Sequence, residues 1–151
     1  MKTVKGDLVK MALQGEFDVI VHGCNCFHTM GAGIAKTIST QFPEAFAADK
    51  ATVYADKNKL GTISHASIRR ESSEFVIVNA YTQFQWKGRG RKADYTAIGS
   101  CFREIAKEFG SRRIGYPLIG AGLAGGNWTE IEPMIETELE GCDHTLVIFA
   151  P

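Results

Sequence analysis

The stretch that decides the fold runs from Asp18 to Ala35. It reads DVIVHG (Asp18–Gly23), then CNCFH (Cys24–His28), Thr29 and Met30, and GAGIA (Gly31–Ala35). The first segment is an almost continuous β-branched apolar run, the pattern of a strand covered on both faces. The last opens a segment in which Ile34 and Ile38 recur at helical spacing. Between them lies a polar, glycine-rich turn. The unit is therefore strand, turn and helix. It has a counterpart near the other end, where a strand from Arg113 to Ile119 meets a second glycine cluster, Gly120–Gly126 (GAGLAGG).

Working outward, Thr3–Lys5 reads as a short strand. Pro43 stops the first helix and can open a second at its first position, running to about Asp56. Gly61–Ser67 and Glu74–Ala80 (EFVIVNA) are two further strands. Asp94 is an N-cap for a helix to about Phe109, with Ile98, Cys101, Phe102 and Ile105 as its apolar stripe and Gly110 as its C-cap. Thr129–Glu140 is an acidic amphipathic helix, and Thr145–Phe149 a final buried strand. Strands alternating with helices predict an α/β fold with a largely parallel sheet, one domain and no linker. In such folds ligands sit at the carboxyl ends of the strands. Both glycine clusters follow a strand, so both are expected on one edge of the sheet.

At 151 residues the chain is long enough to bury a core. Its 44% hydrophobic and 23% charged residues set aside disorder, collagen and coiled coil. Seventeen basic residues balance seventeen acidic ones, so no global basic field exists to hold a polyanion, which argues against a dedicated nucleic-acid binder. No signal-peptide pattern is present, and no run approaches the roughly 18 apolar residues of a membrane helix, so a cytoplasmic protein with no membrane partner is expected. Cys24, Cys26, Cys101 and Cys142 contain neither a C-x-x-C nor paired ligand motifs, which predicts free thiols and no metal site.

Glycine-rich turns between a strand and a helix suit phosphate, because missing Cβ atoms let backbone N–H groups converge on an anion. One such turn is equally a tight turn with close packing. Two of them offer the two donor sets that a diphosphate requires. Neither matches the P-loop or the dinucleotide fingerprint. His22 is either a satisfied core histidine or a proton-transfer group near an anion site. Asn25 either shapes the turn or orients a ribose hydroxyl or a water.

Gly6-Asp7-Leu8, VIVHGCNC (Val19–Cys26), GAGIA (Gly31–Ala35) and PLIGAGLAGGNW (Pro117–Trp128) together resemble the macro domain, with the motifs in matching order across essentially the whole chain. The form I-V-H-x-C-N-C, the G-x-G-I-A turn and Trp128 look most like the branch containing ADP-ribose-1″-phosphate phosphatases. The resemblance implies a three-layer α/β/α sandwich with a mixed, largely parallel sheet over residues 1–151. It places Asp7 on the adenine amino group with Leu8 beside it, and Asn25 on the distal ribose. Gly31, Ala32, Gly33 and Ile34, with Gly120, Ala121, Gly122 and Leu123, would surround the diphosphate. His22 takes the position linked to activity in that branch.

The chain also departs from the family. Macro hydrolases that remove ADP-ribose from acidic side chains or DNA bases use a lysine after the fourth strand and an aspartate after the second G-x-G-L. Here those regions read Asn79-Ala80-Tyr81-Thr82-Gln83 and Ala124. Ala124 also stands where many members carry an aromatic, which opens the distal pocket to an added phosphate. Tyr81 and Gln83 follow a strand and border the ligand or, for Tyr81, pack in the core. Arg89, Arg91 and Lys92 form a solvated loop or meet a phosphate, and Trp86 is a lid over adenine or a partner contact. The expectation is a monomeric phosphatase acting on ADP-ribose-1″-phosphate without metal or cofactor, with His22 and Asn25 as catalytic residues. The alternatives are an ADP-ribose reader, or an ADP-ribosyl hydrolase acting on a protein or nucleic acid.

Overall fold

The computed structural model describes residues 1–151. Its six strands are β1 (Lys2–Gly6), β2 (Val19–Cys24), β3 (Ile63–Arg70), β4 (Ser73–Tyr81), β5 (Ile114–Tyr116) and β6 (His144–Phe149), in the sheet order β1-β6-β5-β2-β4-β3. Every pairing is parallel except β3 with β4. The sheet is mixed and largely parallel, as expected.

Period-2 alternation divides the buried strand residues between two layers. Val19, Val21, Val76 and Val78 face helices α4 (Tyr95–Phe109) and α5 (Trp128–Glu138), packing with Ile98, Phe102, Ile105 and Ile131. Ile20, Phe75 and Ile77 face α1 (Leu8–Leu13), α2 (Gly33–Gln41) and α3 (Pro43–Lys50), packing with Leu8, Ile38 and Phe42. This is the three-layer sandwich. No helix is long and apolar enough to cross a membrane.

Several local expectations shift. Helix α1 has only six residues and too little periodicity to announce itself, but Asp7 caps it by accepting the Lys10 N–H at 3.1 Å. Helix α3 ends at Lys50 rather than near Asp56. Beyond it Ala55 takes a left-handed φ of 56° and gives its N–H to the Cys26 carbonyl. The strand expected through Ile119 stops at Tyr116, because Pro117 has no N–H for the ladder. Gly110 does close α4, but with a right-handed φ of −62°. Glycine is needed there because a Cβ would collide with the Ala106 carbonyl oxygen. All four cysteines are free thiols, three of them buried.

Candidate functional site

Because β1, β2, β4, β5 and β6 run parallel, their carboxyl ends share one edge of the sheet, and both glycine loops lie there. A cleft of about 690 Å³ crosses this edge, within the range that holds a nucleotide-sized ligand. It runs from Val147 and Phe149 on β6, past Pro117–Gly120 after β5 and Gly23–Asn25 at the end of β2, to Thr82, Gln83 and Trp86 beyond β4. With strands about 4.8 Å apart, these four strand ends span roughly 14 Å. The cleft is elongated.

Its walls are the two loops. Gly31, Ala32, Gly33 and Ile34 form one side; Gly120, Gly122, Leu123 and Ala124 form the other. Gly33 and Gly120 have φ of 57° and 77°, which L side chains seldom adopt. The backbone N–H groups of Ala32 to Ala35 and of Gly122 to Ala124 have no acceptor within the protein. The first set opens α2, whose N-cap Ala32 offers no side-chain acceptor, so the positive end of the helix points into the cleft. The second set crowns loop 117–126, which closes on itself through the Gly126 N–H to the Gly120 carbonyl at 2.7 Å. Two banks of donors face one groove.

Asn25 lines the cleft but also shapes the turn. Its Oδ1 accepts the Phe27 N–H at 2.8 Å, and its Nδ2 donates to the Thr29 carbonyl at 2.9 Å. Gln83 lines the cleft as expected. Asp7 follows Gly6, which pairs in register with Phe149, so it stands at the rim of the β6 end rather than in the lining.

Four expected site residues fall elsewhere. His22 and Tyr81 point to the α3 side, because strand alternation places them on the face opposite Gly23 and Thr82. His22 is fully buried, with Nε2 2.7 Å from Asn79 Oδ1. The Asn79 NH2 group donates to the Ala45 carbonyl and to Ser64, so its oxygen faces His22 and Nε2 carries the proton. Burial holds the His22 ring below its ordinary pKa, against the opposing pull of the Asn79 bond. His22 does not line the cleft. Cys24 stands between, 3.6 Å from His22 Nε2, and lines the cleft with a thiol that burial pushes well up. Tyr81 is equally sealed, its hydroxyl bonded to Asp49 and Ser64 at 2.8 Å. Leu8 is core, pressed against Gly115 and Phe17. Ala121 turns away into the α4–α5 layer.

Several lining residues were missed, and Thr82 and Phe149 are the two that bear most on a ligand. Thr82 sits between Tyr81 and Gln83, and its hydroxyl approaches the β2 backbone so closely that a Cβ on Gly23 would lie 2.8 Å from Oγ1. Correct strand parity would have pointed to it. Phe149 is 71% exposed at the end of an otherwise buried strand. An aromatic at a carboxyl strand end was the available signal. Trp86 lines the β4 end of the cleft, and Asp7 stands at the opposite, β6 end.

The macro domain family model matches residues 21–135. The chain belongs to the macro domain family. Over its full length it is 37% identical to a 17.5 kDa protein of enterobacteria phage T4 from the tk–vs intergenic region, covering 97% of that protein. It is 26% identical over 88% of its length to an ADP-ribose 1″-phosphate phosphatase of Candida albicans, covering 90% of that enzyme. Among solved structures, the macrodomain of Mycobacterium tuberculosis DarG superposes with a TM-score of 0.74 at 21% identity, covering 100% of this chain and 99% of that one. Thermosipho africanus DarTG in complex with ADP-ribose gives 0.67 at 22% identity over 89% of this chain and 38% of that one. These structures share the fold of this macro domain.

Proposed function

We propose that the cleft binds ADP-ribose-1″-phosphate and that the protein releases its phosphate, leaving ADP-ribose. The observation carrying the binding step is the pair of unpartnered amide banks facing one groove. A diphosphate seated between them gains several N–H donors and the α2 dipole at once. The exposed Phe149 ring suits an adenine face, and Asp7 beside it has an oxygen left to accept an exocyclic amine. The distal ribose then reaches Asn25, Thr82 and Gln83, and a 1″ substituent leaves toward Trp86.

For the chemical step, water adds to the phosphoester, and phosphate and the 1″-hydroxyl part. The leaving hydroxyl is hemiacetal and more acidic than an ordinary alcohol, which lowers the need for a strong acid. The loop amides stabilise charge on the transferring group, and Asn25 orients the water. His22 acts behind the site, holding the end of β2 through Asn79. Kinship with the Candida albicans enzyme supports this reading.

A second reading, an ADP-ribose reader without turnover, is favoured by one feature: Cys24 is the only ionisable side chain in the lining. Two measurements separate them. Calorimetric binding of ADP-ribose together with phosphate release from ADP-ribose-1″-phosphate supports the phosphatase. Binding without release leaves the reader, and no binding overturns both.

A further inference from the structure

Beyond the β4 end of the cleft, three loops are tied into one surface. The Cys26 N–H donates to the Phe84 carbonyl at 2.9 Å, the Ala55 N–H donates to the Cys26 carbonyl at 2.8 Å, and His28 Nε2 meets Thr52 Oγ1 at 3.2 Å. Phe27 is the hub, edge-to-face with Tyr54, Phe84 and Trp86 at centroid distances of 5.5, 4.9 and 5.8 Å. Tyr54 and Trp86 keep 63% and 43% of their surfaces exposed. Tyr54 and Trp86 therefore leave part of their apolar surface in water, beyond what Phe27, His28 and the Lys87 side chain cover.

Cations surround these faces. Lys57 lies 5.1 Å over Phe84, and Lys87 5.3 Å over Trp86. Lys87, Arg89, Arg91 and Lys92 follow within six residues, and none of the five is paired with a carboxylate. The Lys92 and Ala93 N–H groups donate to the Ala124 carbonyl, so the basic loop is stitched to the second glycine loop at the mouth of the cleft. The acidic groups close in sequence are otherwise engaged. Asp49 is buried against Tyr81, Asp56 caps Asn58, and Asp94 caps α4. The densest run of negative charge, Glu130–Asp143, holds six carboxylates and no Lys or Arg, and Glu136, Glu138 and Asp143 within it are paired with the N-terminus, Arg103 and Lys2. Zero net charge therefore conceals a local basic and aromatic face.

We propose that this face binds single-stranded nucleic acid, with Tyr54 and Trp86 stacking bases and Lys57, Lys87, Arg89 and Arg91 meeting phosphates. An acidic peptide would satisfy the cations but leave the ring faces without partners. A single strand presents flat π surfaces and phosphates in alternation, which is the chemistry displayed. Duplex hides its base faces. The inference reaches beyond the small-molecule reading of the cleft and places a polymer at its open end.

The test uses the full chain and fluorescence anisotropy with a labelled oligothymidine of about 20 nucleotides, longer than the roughly 4–16 that a single-strand site covers. Parallel arms use a duplex of equal length and a poly-glutamate peptide. The expected result is preference for the single strand, with affinity falling as salt rises. Each phosphate contact contributes about −0.7 to the log–log salt slope, so K87A/R89A should flatten it by about 1.4. Tyr54→Ala should weaken binding about tenfold and leave the slope unchanged. Equal binding to poly-glutamate or duplex, or wild-type affinity in both variants, would overturn the proposal. ADP-ribose calorimetry on the same proteins keeps the two readings apart. Intact ADP-ribose binding without strand binding sinks this inference alone, whereas strand binding without ADP-ribose binding sinks the cleft assignment alone.

Discussion

Phe149 carries little of the stability of the protein and, on the proposed reading, much of its ligand selectivity. Its ring lies mostly in water, so Phe149→Ala should change unfolding free energy by no more than about 0.5 kcal/mol. ADP-ribose affinity should nevertheless fall about tenfold, the worth of a lost stacking contact. Unchanged affinity in a calorimeter would remove the ring from the adenine site. His22 is the opposite case. His22→Ala strips Asn79 Oδ1 of its buried donor, which should cost about 1–3 kcal/mol in urea unfolding. Phosphate release per folded molecule should stay within a few-fold of wild type. Abolished turnover at unchanged stability would return His22 to the chemistry. Gly120 is constrained by both conformation and space. Its φ is 77°, and an added Cβ would sit 2.8 Å from Ile98 Cδ1. Gly120→Ala should therefore cost about 1–3 kcal/mol, visible as a lower urea midpoint.

At the scale of elements, α2 trades stability for an anion site. Ala32 occupies its N-cap with extended angles, φ −146° and ψ 156°, and offers no side-chain acceptor. An aspartate fits that geometry and would satisfy the first-turn amides itself. Ala32→Asp should stabilise the protein by about 0.5–2 kcal/mol, seen as a higher Tm. It should also weaken ADP-ribose at least about tenfold, because a fixed carboxylate then faces the diphosphate. A variant both more stable and equally tight would show that α2 does not hold the anion. The strand, turn and helix composing this unit were legible in the sequence. Strand parity is not evident in local motifs: His22 and Tyr81 face the α3 side, while Thr82 between Tyr81 and Gln83 lines the cleft.

For the whole molecule, two buried histidines set a pH dependence. Burial is the leading cause lowering the pKa of both His22 and His144. In the unfolded chain each returns to about 6.5, so below that pH the unfolded state binds protons that the folded state refuses. Stability is then fully present above about pH 6.5 and declines as the pH falls. Urea midpoints measured from pH 7.5 to 5 should drop, and His22→Ala should flatten part of that drop. A midpoint independent of pH in this window would contradict the burial of neutral rings.

By itself, the sequence determined what local pattern can encode. The buried apolar runs, the glycine turns following them and the alternation of strand with helix were enough for the layered fold and for two loops on one edge. Those signals are written in neighbouring residues. Tertiary structure decided which side chains reach the cleft, because that depends on sheet face and strand order. Phe149 and Asp7 come to one end only because β1 pairs with β6, and Trp86 stands at the other because β4 lies beyond β2. The same holds for charge. The composition is neutral, and only the folding together of loops 26–28, 52–57 and 84–92 gathers its cations and aromatic rings on one surface.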